Sequence, residues 1–279
     1  MRYFIVLILA LLPCALVAQD WEDQQLFGAE DAAENLTLIS STDTSFFAPI
    51  IESFLRGRPN VSISYFVTGT ADLDAIFRAD QDGYDVVISS AMDLQLKLAN
   101  DGFALRIDTI AHPAWAQWRQ SLFGFTTEPA TIVVNKAAFA GQPVPRTRQE
   151  LIQALRADPD RFRGRVGTYD VRQSGLGYLF ATQDARASES FWRLTEVMGS
   201  LEAQLYCCSG DMIDDLVDGT LAVAYNVLGS YASARGDALG EIEVILPSDF
   251  PTTMMRTAFV SETTDTPQIA ADFIRHLTA

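Results

Sequence analysis

Three times between Leu36 and Asn100 the chain repeats one pattern: a short apolar run, a turn of small hydroxyl residues, then apolar residues at helical spacing. In the first copy Leu36–Ile39 reads as a buried strand, and Ser40, Ser41, Thr42, Thr44 and Ser45 surround Asp43. Phe46, Phe47, Ile50, Ile51, Phe54 and Leu55 then recur at helical spacing. Pro49 has no N–H and is tolerated only near a helix start, which places that start close to Ser45. The second copy runs through Val61–Val67, Thr68-Gly69-Thr70 and a helix marked by Leu73, Ile76 and Phe77. The third runs through Tyr84–Ile88, Ser89-Ser90-Ala91 and a helix to about Asn100. Strands separated by helices predict a parallel α/β sheet, which binds ligands at the carboxyl ends of its strands. All three hydroxyl turns fall at such ends, where a helix start presents free backbone N–H groups. Any one of these turns alone is an ordinary N-cap. Their combination sets the reading.

A second α/β pattern follows a long β-prone passage through Leu122–Phe125 and Thr131–Val134. It contains a helix at Gln149–Arg156, a strand at Arg165–Tyr169, and a turn Arg172-Gln173-Ser174-Gly175 into a helix. Further strands are expected at Gln204–Cys207 and Leu221–Tyr225, a helix at Ser209–Val217, and a turn at Asn226–Ser230. His112–Gln120 reads as a short helix, and Gln268–Leu277 as a final amphipathic one returning to the first unit. The expected organisation is residues 36–128 with 251–279 as one lobe and 129–250 as the other. The extended connections near 126–134 and 247–258 could absorb a closure motion in a few residues.

Residues 1–18 read as a cleavable signal peptide: Arg2 is the positive start, Phe4–Leu12 the apolar core, and Leu16-Val17-Ala18 the cleavage signal. That core is too short to span a bilayer, so an exported, periplasmic protein is expected. Residues 19–35 are acidic and aperiodic, read as a flexible lead-in. The chain carries 36 acidic residues against 20 basic, or 19 without Arg2, a net charge of −17 for the mature form. Such a surface disfavours nucleic acid and anionic membrane, and a monomer is expected. Past Cys14 the cysteines are the adjacent Cys207 and Cys208, and neighbours in sequence seldom bond each other. With His112 and His276 as the two histidines and no C-x-x-C, neither a metal site nor a cofactor is expected.

Catalytic motifs are missing: there is no G-x-S-x-G, H-E-x-x-H, P-loop or post-strand G-x-G-x-x-G. A secreted serine hydrolase, the different-class alternative, would have to recruit His112 or His276 from helices. No enzyme is expected. Binding is better supported. The candidate ligand-binding residues are Ser41, Thr42, Asp43, Ser89 and Ser90 from the first lobe and Arg172, Ser174, Gly175, Tyr225 and Asn226 from the second. Hydroxyls and helix-start amides suit oxygen-rich ligands. Arg172, Arg256 and Lys136 are the candidate counter-charges for an anion. Asp43, Asp93 and Asp170 would serve a cation instead.

SSTDTSFFAPIIESF, YDVVISSAMD, WRQSLFGFTTEPATIVVNK, RFRGRVGTYDVRQSGLGYLF and GTLAVAYNVLGSYA give the chain a family resemblance from about Leu36 to Leu277. It resembles a periplasmic solute-binding protein of an ABC importer, in the ferric-iron-binding-like branch of the type II periplasmic binding fold. The resemblance implies an α/β fold of two lobes, two crossover strands, and a cleft that closes on a small-molecule ligand. It implies an ABC permease in the inner membrane as partner, with a sensor histidine kinase as the alternative one. Iron-binding members carry adjacent tyrosines where this chain has Val227-Leu228-Gly229, so a small oxyanion such as a sugar phosphate or carboxylate is expected rather than ferric iron.

Overall fold

The computed structural model describes residues 21–235 and 240–279; the expected signal peptide lies outside the described residues. The chain opens with β1 (Asp23–Phe27), β2 (Glu34–Ser40), α1 (Thr44–Leu55), β3 (Val61–Val67), α2 (Asp72–Ala79), β4 (Val86–Ser89) and α3 (Met92–Asn100). A hairpin of β5 (Gln117–Trp118) and β6 (Leu122–Gly124) leads into the long β7 (Glu128–Asn135). The second unit holds α4 (Arg148–Ala157), α5 (Pro159–Phe162), β8 (Val166–Tyr169), α6 (Gly175–Ala187), α7 (Ser190–Ser200) and β9 (Gln204–Tyr206). It continues with α8 (Ser209–Val217), β10 (Val223–Leu228), α9 (Gly229–Ala234) and β11 (Ile242–Ile245). The chain returns through β12 (Thr253–Met254) to β13 (Thr257–Val260) and α10 (Pro267–Leu277).

These strands make two sheets, hence two lobes: β1-β3-β2-β4-β13-β6-β5 in one and β11-β7-β10-β8-β9 in the other. In the first, β2 pairs parallel with both β3 and β4, while β13 closes antiparallel onto β4 with Thr257 opposite Ser89. Alternation decides the faces. Leu36, Leu38, Val86 and Ile88 point to one side, where Phe47, Phe54 and Phe273 pack. Ile39, Val87 and Phe259 point to the other, against Leu73, Phe77 and Leu98. Helices cover both faces, as a parallel sheet requires. α10 joins the first lobe through the Phe54–Phe273 edge contact at 5.0 Å. In the second lobe β8 and β10 run parallel and β7 runs antiparallel between β10 and β11.

Several segments differ from the sequence reading. Within the expected flexible lead-in, Asp23–Phe27 is an ordered edge strand on β3, running from Asp23 opposite Val67 to Phe27 opposite Ile63. An open edge of backbone donors and acceptors recruits a strand, and polar side chains along it resist further pairing. The turn behind it needs Gly28, at φ +92°, where a Cβ would sit 2.8 Å from the Val61 carbonyl oxygen. In His112–Gln120 a single tight turn at 114–116 precedes β5, because Arg119 and Gln120 at positive φ turn the chain into a hairpin. Asn226 is not in a turn but at a bulge within β10, at φ +66°, a conformation asparagine tolerates. Cys207 and Cys208 are bonded to each other, contrary to expectation, in the short passage from β9 to α8.

A buried polar cluster ties the second crossover to the second lobe. Arg148, fully buried, donates to Tyr225 Oη at 2.6 Å, the Phe250 carbonyl at 2.8 Å and Asp249 Oδ1 at 3.0 Å. Asp184 accepts from Tyr225 at 2.5 Å, Thr252 at 2.7 Å and Asn226 at 3.0 Å. A charge pair taken out of water is tolerable only when its remaining hydrogen-bonding capacity is filled in this way.

Candidate functional site

The strand ends of both lobes meet at one small cavity. The first lobe supplies Ser41 and Asp43 after β2, Thr68-Gly69-Thr70 after β3, and Ser90 after β4. The second supplies Tyr169 and Ser174 around the β8–α6 turn, Cys207, Cys208 and Ser209 at the start of α8, and Tyr231 of α9. Arg256, between the crossover and β13, forms part of the wall, and Glu22 stands beside Asp43. The cavity measures about 50 Å³. Direct bonds between the lobes flank it. Gly175 N–H donates to Thr70 Oγ1 at 2.9 Å, Tyr231 Oη donates to Asp43 Oδ1 at 3.2 Å, and the Phe46 and Tyr231 rings stack at 4.3 Å. Gly175 permits this approach, since a Cβ there would lie 3.1 Å from both Thr70 O and Leu94 Cδ1.

Hydroxyl side chains take up amides in the turns that lead into α1 and α3, while the first amides of those two helices have no side-chain cap. Ser90 N–H donates to Ser41 Oγ at 3.1 Å, Ala91 N–H to Ser89 Oγ at 3.1 Å, and Thr42 N–H to Ser40 Oγ at 3.0 Å. Ser174 caps α6 by accepting from Gly177 N–H at 3.0 Å. Asp43 is the residue before α1, yet its carboxylate makes no cap bond and faces Tyr231 instead.

Of the sequence-derived candidates, Ser41, Asp43, Ser90 and Ser174 line the cavity. Thr42 and Ser89 are buried immediately behind it, and Gly175 lies at the lobe contact. The others go elsewhere. Arg172 holds Asp170 at 2.6 Å with its side chain 76% exposed. Tyr225 and Asn226 belong to the Asp184 cluster inside the second lobe, because the bulge turns their polar groups inward. Lys136 donates to the Gly240 carbonyl at 3.3 Å, and Asp93 does not line the cavity. Glu22, Tyr169, the cysteines, Ser209 and Tyr231 were not among the candidates. Glu22 stood in the supposed lead-in, and Tyr231 shows only as an aromatic on an amphipathic helix.

The charge balance is acidic. Arg256 is 4% exposed; its Nε and Nη2 donate to the two Glu128 carboxylate oxygens at 3.1 and 3.3 Å, and Nη1 donates to Thr42 Oγ1. Burial alone would raise the Glu128 pKa, but Arg256, Ser230 and Thr126 hold it below the ordinary glutamate range. At the rim, partial burial raises Glu22 and Asp211, and repulsion adds to it, from Asp43, Asp72 and Asp211 on Glu22 and from Asp214, Asp215 and Asp43 on Asp211. Burial also raises Asp43, against the pull of Tyr231 and Arg256. Burial pushes the Tyr231 phenol up to about 12, so it stays protonated and donates to Asp43. Among the described residues Arg256 is the cation of this wall, and it is already matched by Glu128. The carboxylates are not.

No protein-family model matches the chain, and no curated protein does. Solved structures do. The substrate-binding protein of an ABC transporter from Agrobacterium tumefaciens is 30% identical over 92% of this chain and 79% of that one, with a TM-score of 0.89. The periplasmic binding protein AfuA from Actinobacillus pleuropneumoniae, with exogenous fructose-6-phosphate bound, is 14% identical over 89% and 80% of the two chains, with a TM-score of 0.74. Iron-bound HitA from Pseudomonas aeruginosa is 16% identical over 86% and 79%, with a TM-score of 0.70. The last two show the fold alone, the two-lobe type II periplasmic binding architecture. Among the described residues no helix is long and apolar enough to cross a membrane. Two lobes closed over a polar cavity, together with the identity and coverage of the Agrobacterium match, place the chain among the substrate-binding proteins of ABC transporters, a family of binding proteins and not of enzymes.

Proposed function

We propose that this chain works in the periplasm, where it captures a small solute between its lobes by hinge closure and delivers it to an inner-membrane ABC permease. The supporting observation is that a cavity is walled by both lobes and spanned by the Thr70–Gly175 and Asp43–Tyr231 bonds. A solute touching both walls binds the closed state better than the open one and shifts the population toward it.

The charge of the site favours a ligand with a protonated amino group. Glu22 and Asp43 line the cavity, and Arg256 is already neutralised by Glu128. A second interlobe space of about 450 Å³ shares Asp43 and Tyr231 with this cavity, which gives the rest of a larger solute a place to lie. The second reading is the oxyanion expected from the sequence, supported by the starts of α1, α3, α6 and α8 converging on the site. The first amides of α1, α3 and α8 have no side-chain cap to displace.

Thermal-shift screening of amines, amino acids, organic acids, phosphate esters and ferric salts separates these readings. Stabilisation by amine-bearing compounds is the expected result. Stabilisation by phosphate esters or carboxylates alone would replace it with the second reading, and stabilisation by ferric salt alone, with a visible charge-transfer band, would overturn both. Solution scattering with the identified ligand tests closure: the radius of gyration is expected to fall, and an unchanged envelope at saturation sinks the hinge mechanism.

A further inference from the structure

The Cys207–Cys208 disulfide contributes little to holding the fold. A crosslink stabilises mainly by restricting the unfolded chain, and the effect grows with the loop enclosed. Between sequence neighbours that loop is minimal, and both lobes have their own apolar cores. The bond lies instead in the wall of the ligand cavity, with both cysteines partly exposed and open to a reductant.

The surroundings suit a metal. Asp211 stands in the first turn of α8, and its Oδ2 lies 3.7 Å from Cys207 Sγ. The two sulfurs and this carboxylate oxygen all lie within 4.8 Å of one another. In a tetrahedral zinc site, Zn–S bonds of about 2.3 Å and a Zn–O bond of about 2.1 Å separate sulfur from oxygen by about 3.6 Å and the sulfurs by about 3.8 Å. The Cys207–Asp211 spacing already matches the first value. The second needs only that the S–S bond open. A set of two thiolates and one carboxylate fits zinc, with a water completing four ligands.

We propose that Cys207 and Cys208 form a redox-controlled metal site: as a disulfide they wall the solute cleft, and as a dithiol they join Asp211 in holding a thiophilic divalent cation such as Zn²⁺ at its mouth. The step balances with an external dithiol as reductant. Two electrons and two protons pass to the Cys207–Cys208 bond, the reductant becomes a disulfide, and cation binding then displaces the thiol protons. The site is distinct from the amine-binding reading and stands whichever solute the cleft takes.

The test uses the purified mature protein. Thiol counting before and after treatment with a phosphine reductant should give no reactive thiol and then two per chain; two thiols before reduction would overturn the disulfide half of the proposal. Zn²⁺ is then titrated into both forms against a chromophoric chelator. The reduced form should bind one ion per chain at least about 100-fold more tightly than the oxidised form, and equal affinities would overturn the proposal. Co²⁺ in place of zinc should give a thiolate-to-cobalt charge-transfer band in the reduced form, and a spectrum without it would exclude sulfur ligation. Asp211→Asn should weaken zinc binding about tenfold or more, and an unchanged affinity removes Asp211 from the site. Alkylating the reduced wild-type thiols should abolish binding in a protein that folded normally, whatever Cys207→Ser and Cys208→Ser do to folding, and retained binding would refute cysteine ligation.

Discussion

Arg256 reaches Glu128 with two nitrogens and Thr42 with a third, all in a wall from which water is nearly excluded. Removing one member strands the other, so Arg256→Ala should lower unfolding free energy by about 3–5 kcal/mol in urea titrations, whereas replacing both with apolar residues should be far milder. The pH dependence has a definite sign. Glu128 titrates below its ordinary value when folded, so its contribution is complete above the unfolded-state pKa and is lost as pH falls through the folded one. Melting temperature should therefore drop on acidification below about pH 4.5, and Glu128→Gln should flatten that part of the profile. Asp43 behaves oppositely, because its raised pKa makes it take a proton earlier than an ordinary aspartate. In the amine reading, affinity measured by calorimetry should fall as pH is lowered from neutral, beginning earlier than an ordinary aspartate would dictate, and Asp43→Asn should weaken binding roughly tenfold or more at neutral pH.

Among the elements, α6 depends on its first residue. Gly175→Val would put side-chain atoms into Leu94 and the Thr70 carbonyl across the cleft, without disturbing the core of either lobe. The expected outcome is an unchanged melting temperature without ligand, an affinity reduced about tenfold or more, and no compaction in scattering; full compaction would show that this contact does not limit closure. Within the first lobe, Phe54→Ala removes a fully buried ring that packs on Phe273 and should cost about 3–5 kcal/mol. The strand–hydroxyl–helix units at Leu36, Val61 and Tyr84 were legible in the sequence, because apolar spacing and turn chemistry are local signals. β1 was not, because an edge strand with polar side chains has the same local sequence as a solvated tail. Arg148 and Asp184 also escaped: charged residues in amphipathic helices read as surface, and only the distant Tyr225, Asp249 and Thr252 make them core.

At the scale of the molecule, two lobes with a cleft were legible, since alternation and two extended connections are long-range regularities of the chain itself. Which hydroxyls line the cavity was half legible. Ser41, Ser90 and Ser174 follow from their strand ends, but the bulge that draws Asn226 inward and the pairing that neutralises Arg256 exist only after folding. The acidity of the whole has a kinetic consequence. A net charge of −16 over the whole sequence attracts cations and repels anions over distances that salt screens. The association rate of an amine ligand in stopped-flow should therefore fall as ionic strength rises, and a rate that rises with salt would favour an anion instead.

The two crossovers are hydrogen-bonded to each other, with Thr253 opposite Pro129 and Met254 opposite Glu128. Two separate linkers would let the lobes twist, slide and bend independently. A paired ribbon bends readily across its face but resists shear, because shear breaks its own bonds. The Arg148 cluster fixes residues 249–252 to the second lobe, which confines the flexible part to the few residues next to the first. In the proposed hinge closure, opening is thereby reduced to a single angle. A permease of the kind proposed would then read one coordinate, set by the solute held between the lobes.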